Sequence, residues 1–224
     1  LAVCLFYLLP IILNGYLAFT NWSGFHSEIE FEGLRNFRNL LERASLTKQL
    51  QLTLIYAVTA SIIGNVGSLI LALAMERPTR SNRFFRAVFF IPVLLSPLAA
   101  GYVWAGILDP SGPLNQLISF FSPGYDHAWL GSTTFAIYIV AAIDGWKWSG
   151  FFTLIYIAGL TTVPQDLKDA AVVDGATPWQ VFRGVKLPFL APAMTFNITV
   201  TVIGAMSTFD IIMATTKGGP GNAT

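Results

Sequence analysis

Polar residues recur on one face of an apolar run near the end of the chain. Asn197, Thr201, Gly204 and Thr208 are spaced i, i+4, i+7 and i+11, so a helix would place them on one side. A second apolar run contains the segment 144–150, in which charged and small polar residues lie beside tryptophans. Aromatic rings next to hydrogen-bonding groups suit ligands that present CH faces and hydroxyl groups. The two segments are therefore candidates for a polar path through an apolar structure.

The same residues also have a purely structural explanation. Ser, Thr and Gly let transmembrane helices pack closely, and Trp146 and Trp148 could belong to an interfacial aromatic belt. Asp144 and Lys147, three positions apart, could form only a local ion pair. The residues by themselves leave both explanations open.

Composition predicts that most of the chain lies in a membrane. Of its 224 residues 54% are hydrophobic and 11% are charged, whereas a soluble domain carries about 25% charged residues. The charges are bunched, and they leave runs long enough for helices of about 20 apolar residues that cross a bilayer. Pro92 and Pro97 are expected to bend the third of these helices. The predicted fold class is an all-α polytopic membrane protein with five transmembrane spans, at about 1–19, 50–75, 84–108, 132–160 and 190–213.

The distribution of basic residues predicts which side each loop faces. The loop after the second span is rich in arginine, whereas the loop at 109–131 contains Asp109 and Asp126 without Lys or Arg. The positive-inside rule places the first of these loops in the cytoplasm and the second outside. Alternation of the spans then places 161–189 in the cytoplasm. The loop at 20–49 is an exception, because it is also basic but must face outward.

The charge balance and the few cysteines and histidines exclude several classes of function. A net charge of +1 gives no indication of a nucleic-acid partner. Cys4 is the only cysteine, so neither a disulfide framework nor a thiolate metal site is expected. His26 and His127 fall in separate loops, and no metal site is predicted from them. Residue 1 is not Met and the chain stops in a loop at 218–224, so we expect a fragment that lacks its start and at least one further span.

The segment 164–188 has the signals of two helices joined by a tight turn. Pro164 suits the first turn of a helix, and Asp166 and Asp169 favour its positive N-terminal end. Gly175 suits the left-handed residue that ends this helix. The chain is therefore predicted to reverse its direction at Gly175.

A second helix is predicted to begin directly after this turn. Thr177 suits the N-cap, Pro178 the first helical position, and Gln180 completes a capping box. Pro188 is predicted to end this helix. Such capping is equally compatible with a connector that has no binding partner.

The spacing within this hairpin resembles the EAA loop of binding-protein-dependent ABC importers. That family has Glu-Ala-Ala, Gly and Ile-x-Leu-Pro at the same intervals, and this chain differs by having Asp169 for Glu and Val185 for Ile. The two alanines leave a narrow ridge over which a groove on another protein could close. The resemblance implies that the hairpin docks on a cytoplasmic ATPase. The residues implied in docking are Asp169, Ala170, Ala171, Gly175, Leu187 and Pro188.

The segments 19–22, 33–37 and 217–221 resemble the carbohydrate-uptake subfamily of the maltose-transporter type. The resemblance covers nearly the whole chain and implies a six-helix core, of which five helices are expected here. It also implies that this chain lies in the cytoplasmic (inner) membrane of a prokaryote. The partners it implies are a second permease subunit, a cytoplasmic ABC ATPase dimer and an extracytoplasmic solute-binding protein. The expected function is that of the permease subunit of an ATP-driven sugar importer.

The resemblance also implies a substrate path along the fourth and fifth spans. Where the maltose-type permease uses asparagines, this chain has Gly145 and Ala205, so the ligand contacts are expected to differ. The identity of the sugar stays open, and a phosphorylated polyol or a glycoside is compatible with the resemblance. With Asn197 from the polar helical face, the predicted substrate-path residues are Gly145, Trp148, Ser149, Asn197, Thr201, Ala205 and Ser207.

Several motifs of other functions are missing from the sequence. No Gly-x-x-x-x-Gly-Lys-Ser/Thr pattern for binding phosphates occurs. We therefore expect no enzyme activity and no cofactor in this chain, with ATP and Mg²⁺ bound by the partner ATPase. The main alternative is an ion-coupled secondary transporter, which would need ion sites at the membrane midplane and inverted repeats. A membrane enzyme would need a cluster of nucleophile and base or of metal ligands, and the sequence shows neither a repeat nor such a cluster.

Overall fold

The computed structural model describes residues 3–25, 29–42, 45–221 and 224. Over these residues the chain is helical, and its one strand-like pairing is an antiparallel bridge between Thr20 and Phe31. The predicted all-α class is therefore confirmed for this part of the chain. The helices are α1 (Cys4–Leu17), α2 (Arg35–Glu42), α3 (Ser45–Ala74), α4 (Arg80–Leu94), α5 (Pro97–Ile107), α6 (Pro113–Phe121), α7 (Ala136–Thr161), α8 (Gln165–Val173), α9 (Pro178–Met206) and α10 (Asp210–Thr215).

The chain divides into two compact units, 1–51 and 52–224. In the first unit the side-chain amide of Asn36 donates hydrogen bonds to the carbonyls of Ala18, at 3.0 Å, and Thr20, at 2.8 Å. The bond to Thr20 joins two of the three segments that resemble the maltose-type permeases. The two segments of this unit that carry the resemblance are therefore in contact, through the side chain of Asn36.

Helix α7 forms the centre of the second unit, with buried side chains along its whole length. Helices α4 and α9 pack against α7, and α5 packs against α10. Gly145 of α7 meets α3 closely, since a Cβ at this position would lie 3.0 Å from the Gly64 nitrogen and 3.2 Å from the Ala60 carbonyl oxygen. Small residues at the crossing let the two helices approach, as in other membrane helix pairs.

Two clusters of buried apolar side chains hold α3 and α7 together. The first uses the earlier parts of these helices with residues of α9 and α10, and includes Tyr56, Ala60, Val140, Ala205 and Ile211. The second uses the C-terminal ends of α3 and α7 with the middle of α9, and includes Ala72, Met75, Tyr156, Leu160 and Leu190. The polar residues of α3 and α7 described below lie between these two clusters along the helices.

Two helices in the described residues are long and apolar enough to cross a bilayer, Leu46–Ala74 of α3 and the whole of α9. A third candidate is the pair α4 and α5, if this bent pair counts as one span. Helix α7 has 26 residues but carries the polar segment 144–150 at its centre, and α1 is a shorter apolar helix. The predicted number of five spans stays a prediction.

The predicted bend in the third span is confirmed, and it is a sharp break. Helices α4 and α5 meet at 99°. Pro92 lies in the last turn of α4, and the hydroxyl of Ser96 accepts a hydrogen bond from the amide of Ala99 at 3.1 Å. Pro97 occupies the first turn of α5, where its missing N–H costs nothing. The sequence thus ends one helix and caps the next within a few residues.

Helix α9 runs through Pro188, so the prediction that this proline ends the helix is wrong. A π turn occupies Phe182–Lys186, and at its end the amide of Leu187 donates to the carbonyl of Phe182, five residues back. The wider turn accommodates the ring and the missing N–H of Pro188, which would disrupt a regular α-helix. Helix α9 then ends at Met206, earlier than the predicted span at 190–213, and α10 begins at Asp210.

Candidate functional site

The turn after α8 has the form that the sequence predicts. Gly175 has a φ of +78°, in the left-handed region that favours glycine. The amide of Ala176 donates to the carbonyl of Ala171 at 2.9 Å, and the amide of Gly175 donates to the carbonyl of Val172 at 3.0 Å. This pair of hydrogen bonds is the Schellman motif that closes a helix end. It fixes where the chain reverses.

The start of α9 carries the predicted capping box. The backbone amide of Thr177 donates to the side-chain oxygen of Gln180 at 2.7 Å, and the amide of Gln180 donates to the hydroxyl of Thr177 at 3.4 Å. Pro178 occupies the first helical turn. The two arms of the hairpin are therefore held by hydrogen bonds on both sides of the turn.

Most of the predicted docking residues lie on the accessible side of this turn. Asp169, Ala170 and Gly175 are exposed, and Ala171 is half-buried. The carboxylate of Asp169 accepts a hydrogen bond from the side-chain amide of Gln165 at 2.8 Å, within α8. These residues thus form one small accessible surface.

Leu187 and Pro188 lie apart from that surface, in α9 beyond the π turn. Pro188 is exposed and Leu187 is half-buried. Their position suits them to shaping the base of the hairpin. Whether they touch the ATPase stays a prediction.

Four apolar side chains on the hairpin were not predicted as docking residues. Val173 is 86% exposed and Trp179 is 65% exposed, and Leu167 and Val172 are also open. Apolar side chains that cluster on a surface commonly mark an interaction site. A signal was present in the sequence, since Val172 and Val173 directly precede the turn, but capping rules do not identify which face of a helix is open.

A cavity of about 410 Å³ lies among α5, α7, α9 and α10. Trp148, Thr201 and Ser207, all predicted for the substrate path, line this cavity. Gly204 and Thr208 of the predicted polar face line it too. Aromatic rings, hydroxyl groups and carboxylates therefore meet in one space. The polar and aromatic lining consists of Asp144, Trp148, Phe152, Thr201, Ser207, Thr208, Phe209 and Asp210.

The other predicted substrate-path residues point elsewhere. Gly145 lies in the crossing with α3, and Ala205 is buried in the first apolar cluster. Asn197 is fully buried and donates to the carbonyl of Phe152 at 3.3 Å. The hydroxyl of Ser149 donates to the carbonyl of Trp146 at 2.8 Å. These residues pack helices in this structure, and their part in a substrate path stays a prediction.

A buried polar network stands behind the cavity. The hydroxyl of Tyr156 donates to the side-chain oxygen of Asn65 at 2.8 Å, and the amide of Asn65 donates to the hydroxyl of Thr201 at 3.3 Å. The hydroxyl of Ser68 donates to the carbonyl of Ser149 at 2.8 Å. Hydrogen bonds between membrane helices are one of the forces that hold them together. The network therefore ties α3, α7 and α9 at the level of Thr201.

The two charged residues of α7 have different partners. Asp144 is 9% exposed, and its carboxylate accepts a hydrogen bond from the hydroxyl of Tyr56 at 3.0 Å. The ammonium group of Lys147 lies 4.3 Å from the centre of the Trp148 ring, which is a cation–π contact. Because burying a charged group inside a membrane segment is costly, such groups are candidates for functional residues. Asp144 reaches the cavity, whereas Lys147 is not part of its lining.

No group of three His, Cys, Asp or Glu side chains that could hold a metal ion occurs within the described ranges. His127 packs edge-on against the ring of Trp129, with centroids 4.9 Å apart. His26, the other histidine considered from the sequence, lies outside the described residues.

The helical fold, the capped hairpin and the cavity define a class of polytopic membrane transport subunits, and sequence comparison identifies the family. A sequence model of the "binding-protein-dependent transport system inner membrane component" matches residues 64–223. The chain belongs to this family, and it is a permease subunit. The comparison confirms the family inferred from the EAA-like hairpin, and nothing in it supports the ion-coupled alternative.

Relatives and a solved structure agree with this family. The chain is 32% identical to the probable starch degradation products transport system permease protein AmyD of Thermoanaerobacterium thermosulfurigenes, over 100% of this chain and 76% of the relative. It is 33% identical to the sn-glycerol-3-phosphate transport system permease protein UgpA of Agrobacterium fabrum, over 87% of this chain and 66% of the relative. The crystal structure of a bacterial ABC transporter involved in the import of the acidic polysaccharide alginate aligns with a TM-score of 0.80 at 20% identity, covering 99% of this chain and 74% of that chain.

Proposed function

We propose that this chain forms part of the substrate path of an ATP-driven sugar importer in a prokaryotic cytoplasmic membrane. In this proposal it pairs with a second permease subunit and receives sugar from an extracytoplasmic solute-binding protein. Its hairpin docks on a cytoplasmic ABC ATPase dimer, which binds the ATP and Mg²⁺. The chain itself would perform no chemistry and would serve as a passive path. The five predicted spans and their orientation belong to this proposal.

The observation that carries the proposal is the continuity of α9. This helix starts at Pro178 in the hairpin and continues for 29 residues to Met206. At 1.5 Å per residue it is about 43 Å long. Thr201 and Gly204, near its far end, line the cavity. A displacement of the hairpin by an ATPase would therefore move the wall of the cavity through one helix.

The composition of the cavity favours a sugar without negative charge. The rings of Trp148 and Phe152 can stack on the CH faces of a sugar, and Thr201 and Ser207 can exchange hydrogen bonds with its hydroxyl groups. The cavity also contains the carboxyl groups of Asp144 and Asp210, and no Lys, Arg or His from the described part of the chain lines it. Carboxylates accept hydrogen bonds from hydroxyl groups but repel a second anion. We therefore propose an uncharged sugar, in contrast to the phosphate ester and the acidic polysaccharide named for two of the similar proteins.

Co-purification tests the docking of the ATPase. The full-length protein would be tagged and purified in mild detergent from its native membrane, as the wild type and as Gly175→Asp. Gly175 has positive φ, so any side chain strains the turn, and Asp also adds a negative charge to the accessible surface of the hairpin. We expect an ATPase subunit to accompany the wild type and to be lost from the variant.

A matched control separates docking from folding. Gly124 also has positive φ, at +83°, with open space around it, and it lies in the loop predicted to face outside. Gly124→Asp is expected to keep the ATPase. Equal retention of the ATPase by both variants would contradict docking through the hairpin, as would a wild type that purifies alone and moves solute in vesicles without ATP.

A further inference from the structure

A single carboxylate joins both arms of the hairpin to the end of α3. Glu76 follows α3, and its Oε1 lies 3.4 Å from the ammonium group of Lys168 in α8. Its Oε2 forms an ion pair with Lys186, in the π turn of α9. The three side chains are only 19% to 23% exposed. We refer to Glu76, Lys168 and Lys186 as the clasp.

The position of Glu76 is itself fixed from a third direction. Arg86 of α4 donates hydrogen bonds to the carbonyls of Met75 and Glu76, the latter at 3.2 Å. These are carbonyls at the C-terminal end of α3, where a cation is favoured by the helix dipole. The guanidinium group of Arg86 thus anchors the backbone that carries the carboxylate. Helices α3, α4, α8 and α9 converge on this one residue.

The clasp residues and the predicted docking residues of the hairpin have different surroundings. Asp169, Ala170 and Gly175 are exposed and available to a partner. Lys168, next to Asp169 in sequence, is instead held by Glu76. A movement of the exposed turn of the hairpin can reach α3 only if the base of the hairpin is bonded to the end of α3.

We infer that Glu76 is a positioning residue for energy coupling, which makes the hairpin and the ends of α3 and α9 move together when the ATPase moves. This inference rests on the proposed function. Partial burial protects these ion pairs from the screening that weakens fully exposed ones. Two cations on one carboxylate also resist the separation of the two arms. Without the carboxylate, the tip could be displaced while α3 stays in place.

The test uses the complete transporter, with its partner subunits and binding protein, reconstituted in lipid vesicles. For the wild type and Glu76→Gln we would measure ATPase subunit bound per permease, ATP hydrolysed and sugar taken up. Glu76→Gln is expected to keep its ATPase and most of the hydrolysis. Sugar uptake per ATP should fall by about fivefold or more, the lower end of typical coupling between two sites.

Variants of the lysines show whether the clasp acts as a unit. Lys186→Met should reduce uptake per ATP as Glu76→Gln does, and Lys168→Met, which removes the longer contact, should reduce it less. The double variant Glu76→Gln/Lys186→Met should be no worse than Glu76→Gln alone, because both changes remove one interaction. Arg183→Gln is the matched control, since Arg183 is exposed on the same π turn. It should leave the ratio unchanged.

Two results would overturn the inference. One is an unchanged uptake per ATP in Glu76→Gln and in both lysine variants. The other is an uptake that falls only in proportion to lost ATPase, which would make the clasp a part of docking. Neither result affects the proposed function, which fails instead if the wild type takes up sugar without ATP.

Discussion

The hairpin and the cavity are built in different ways. The hydrogen bonds that define the hairpin turn join residues no more than five positions apart, such as Ala176 and Ala171. The contacts around the cavity join residues far apart in the chain, such as Tyr56 and Asp144, separated by 88 positions. A substitution in a turn formed by local hydrogen bonds can change docking without disturbing the packing of the helices around the cavity. A cavity formed by packed helices cannot change without altering the packing.

The glycines of the two regions show the same difference. Gly175 has open space around it and is needed for its backbone conformation, with φ of +78°. Gly150 of α7 has an ordinary helical conformation but lies against the backbone of α4, where a Cβ would overlap the Phe89 carbonyl and lie 2.8 Å from Phe90 Cα. Backbone atoms cannot move aside as the end of a side chain can. The first glycine serves a turn and the second serves close packing.

The largest expected effect would come from the packing glycine. We predict that Gly150→Ala destabilises the protein by about 3 kcal/mol or more, because an overpacked core has to shift backbone. Thermal denaturation in detergent, followed by size-exclusion chromatography, would measure it. Gly67→Ala in α3, where a Cβ meets open space, is the control and should be tolerated. An unchanged denaturation temperature in Gly150→Ala would show that close packing does not require a glycine at this position, which would contradict the contrast drawn between Gly150 and Gly175.

The buried network behind the cavity should give the next largest effect. Tyr156→Phe removes the hydroxyl that donates to Asn65 and leaves a buried acceptor unpaired, which costs about 1–3 kcal/mol. Tyr102→Phe, at a tyrosine that is largely exposed, should be close to neutral. The same denaturation experiment compares the two variants. Equal stabilities would show that Asn65 finds another partner.

The cavity should also depend on its aromatic ring. We predict that Trp148→Ala weakens the apparent affinity for sugar by about two- to thirteenfold, since an aromatic contact contributes roughly 0.5–1.5 kcal/mol. The sugar concentration at half-maximal uptake would be measured in vesicles containing the complete transporter. Trp146→Ala is the control, because Trp146 packs on Trp104 with centroids 5.3 Å apart and does not line the cavity. The same loss of affinity in both variants would contradict a specific contact between Trp148 and the sugar in the cavity.

The smallest expected effect belongs to the hairpin's capping box. Thr177→Ala should destabilise the first turn of α9 by about 1 kcal/mol, the usual cost of losing an N-cap. Faster hydrogen exchange would be confined to the amides around Gln180, with Thr177→Ser close to the wild type. An effect that spreads to the cavity would contradict the separation of the two regions.

The hairpin could be predicted from the sequence because its signals are local. Gly175, Thr177 and Gln180 act on backbone groups a few residues away, so their roles follow from spacing alone. The prediction for Pro188 is wrong because the effect of a proline depends on how the preceding turn forms. A π turn at Phe182–Lys186 lets the helix continue, and no residue in that turn marks it in advance. The continuous helix Pro178–Met206, on which the proposed coupling depends, therefore does not follow from the sequence pattern.

The cavity could be predicted only in part. Periodicity correctly placed Thr201 and Gly204 on one face of a helix, and this face lines the cavity. Thr208 also lines the cavity, but it lies in the break between α9 and α10, so its predicted place on the helical face is wrong. It could not show which neighbour each residue meets, so Asn197 turned out to be fully buried and Gly145 to face α3. Asp210 falls near the end of the predicted fifth span, and nothing in its sequence position indicates a cavity. Its place in the cavity depends on the break after Met206, which hydropathy does not reveal.

Uptake into vesicles tests the central claim most directly. The complete transporter would be reconstituted with ATP inside and binding protein outside, and offered a labelled neutral oligosaccharide or an acidic one of equal length. We predict that the neutral sugar accumulates only with ATP, and that the acidic one does not accumulate. Accumulation driven by an ion gradient without ATP would contradict the ATP-driven importer, and preferred uptake of the acidic sugar would contradict the cavity as its substrate site.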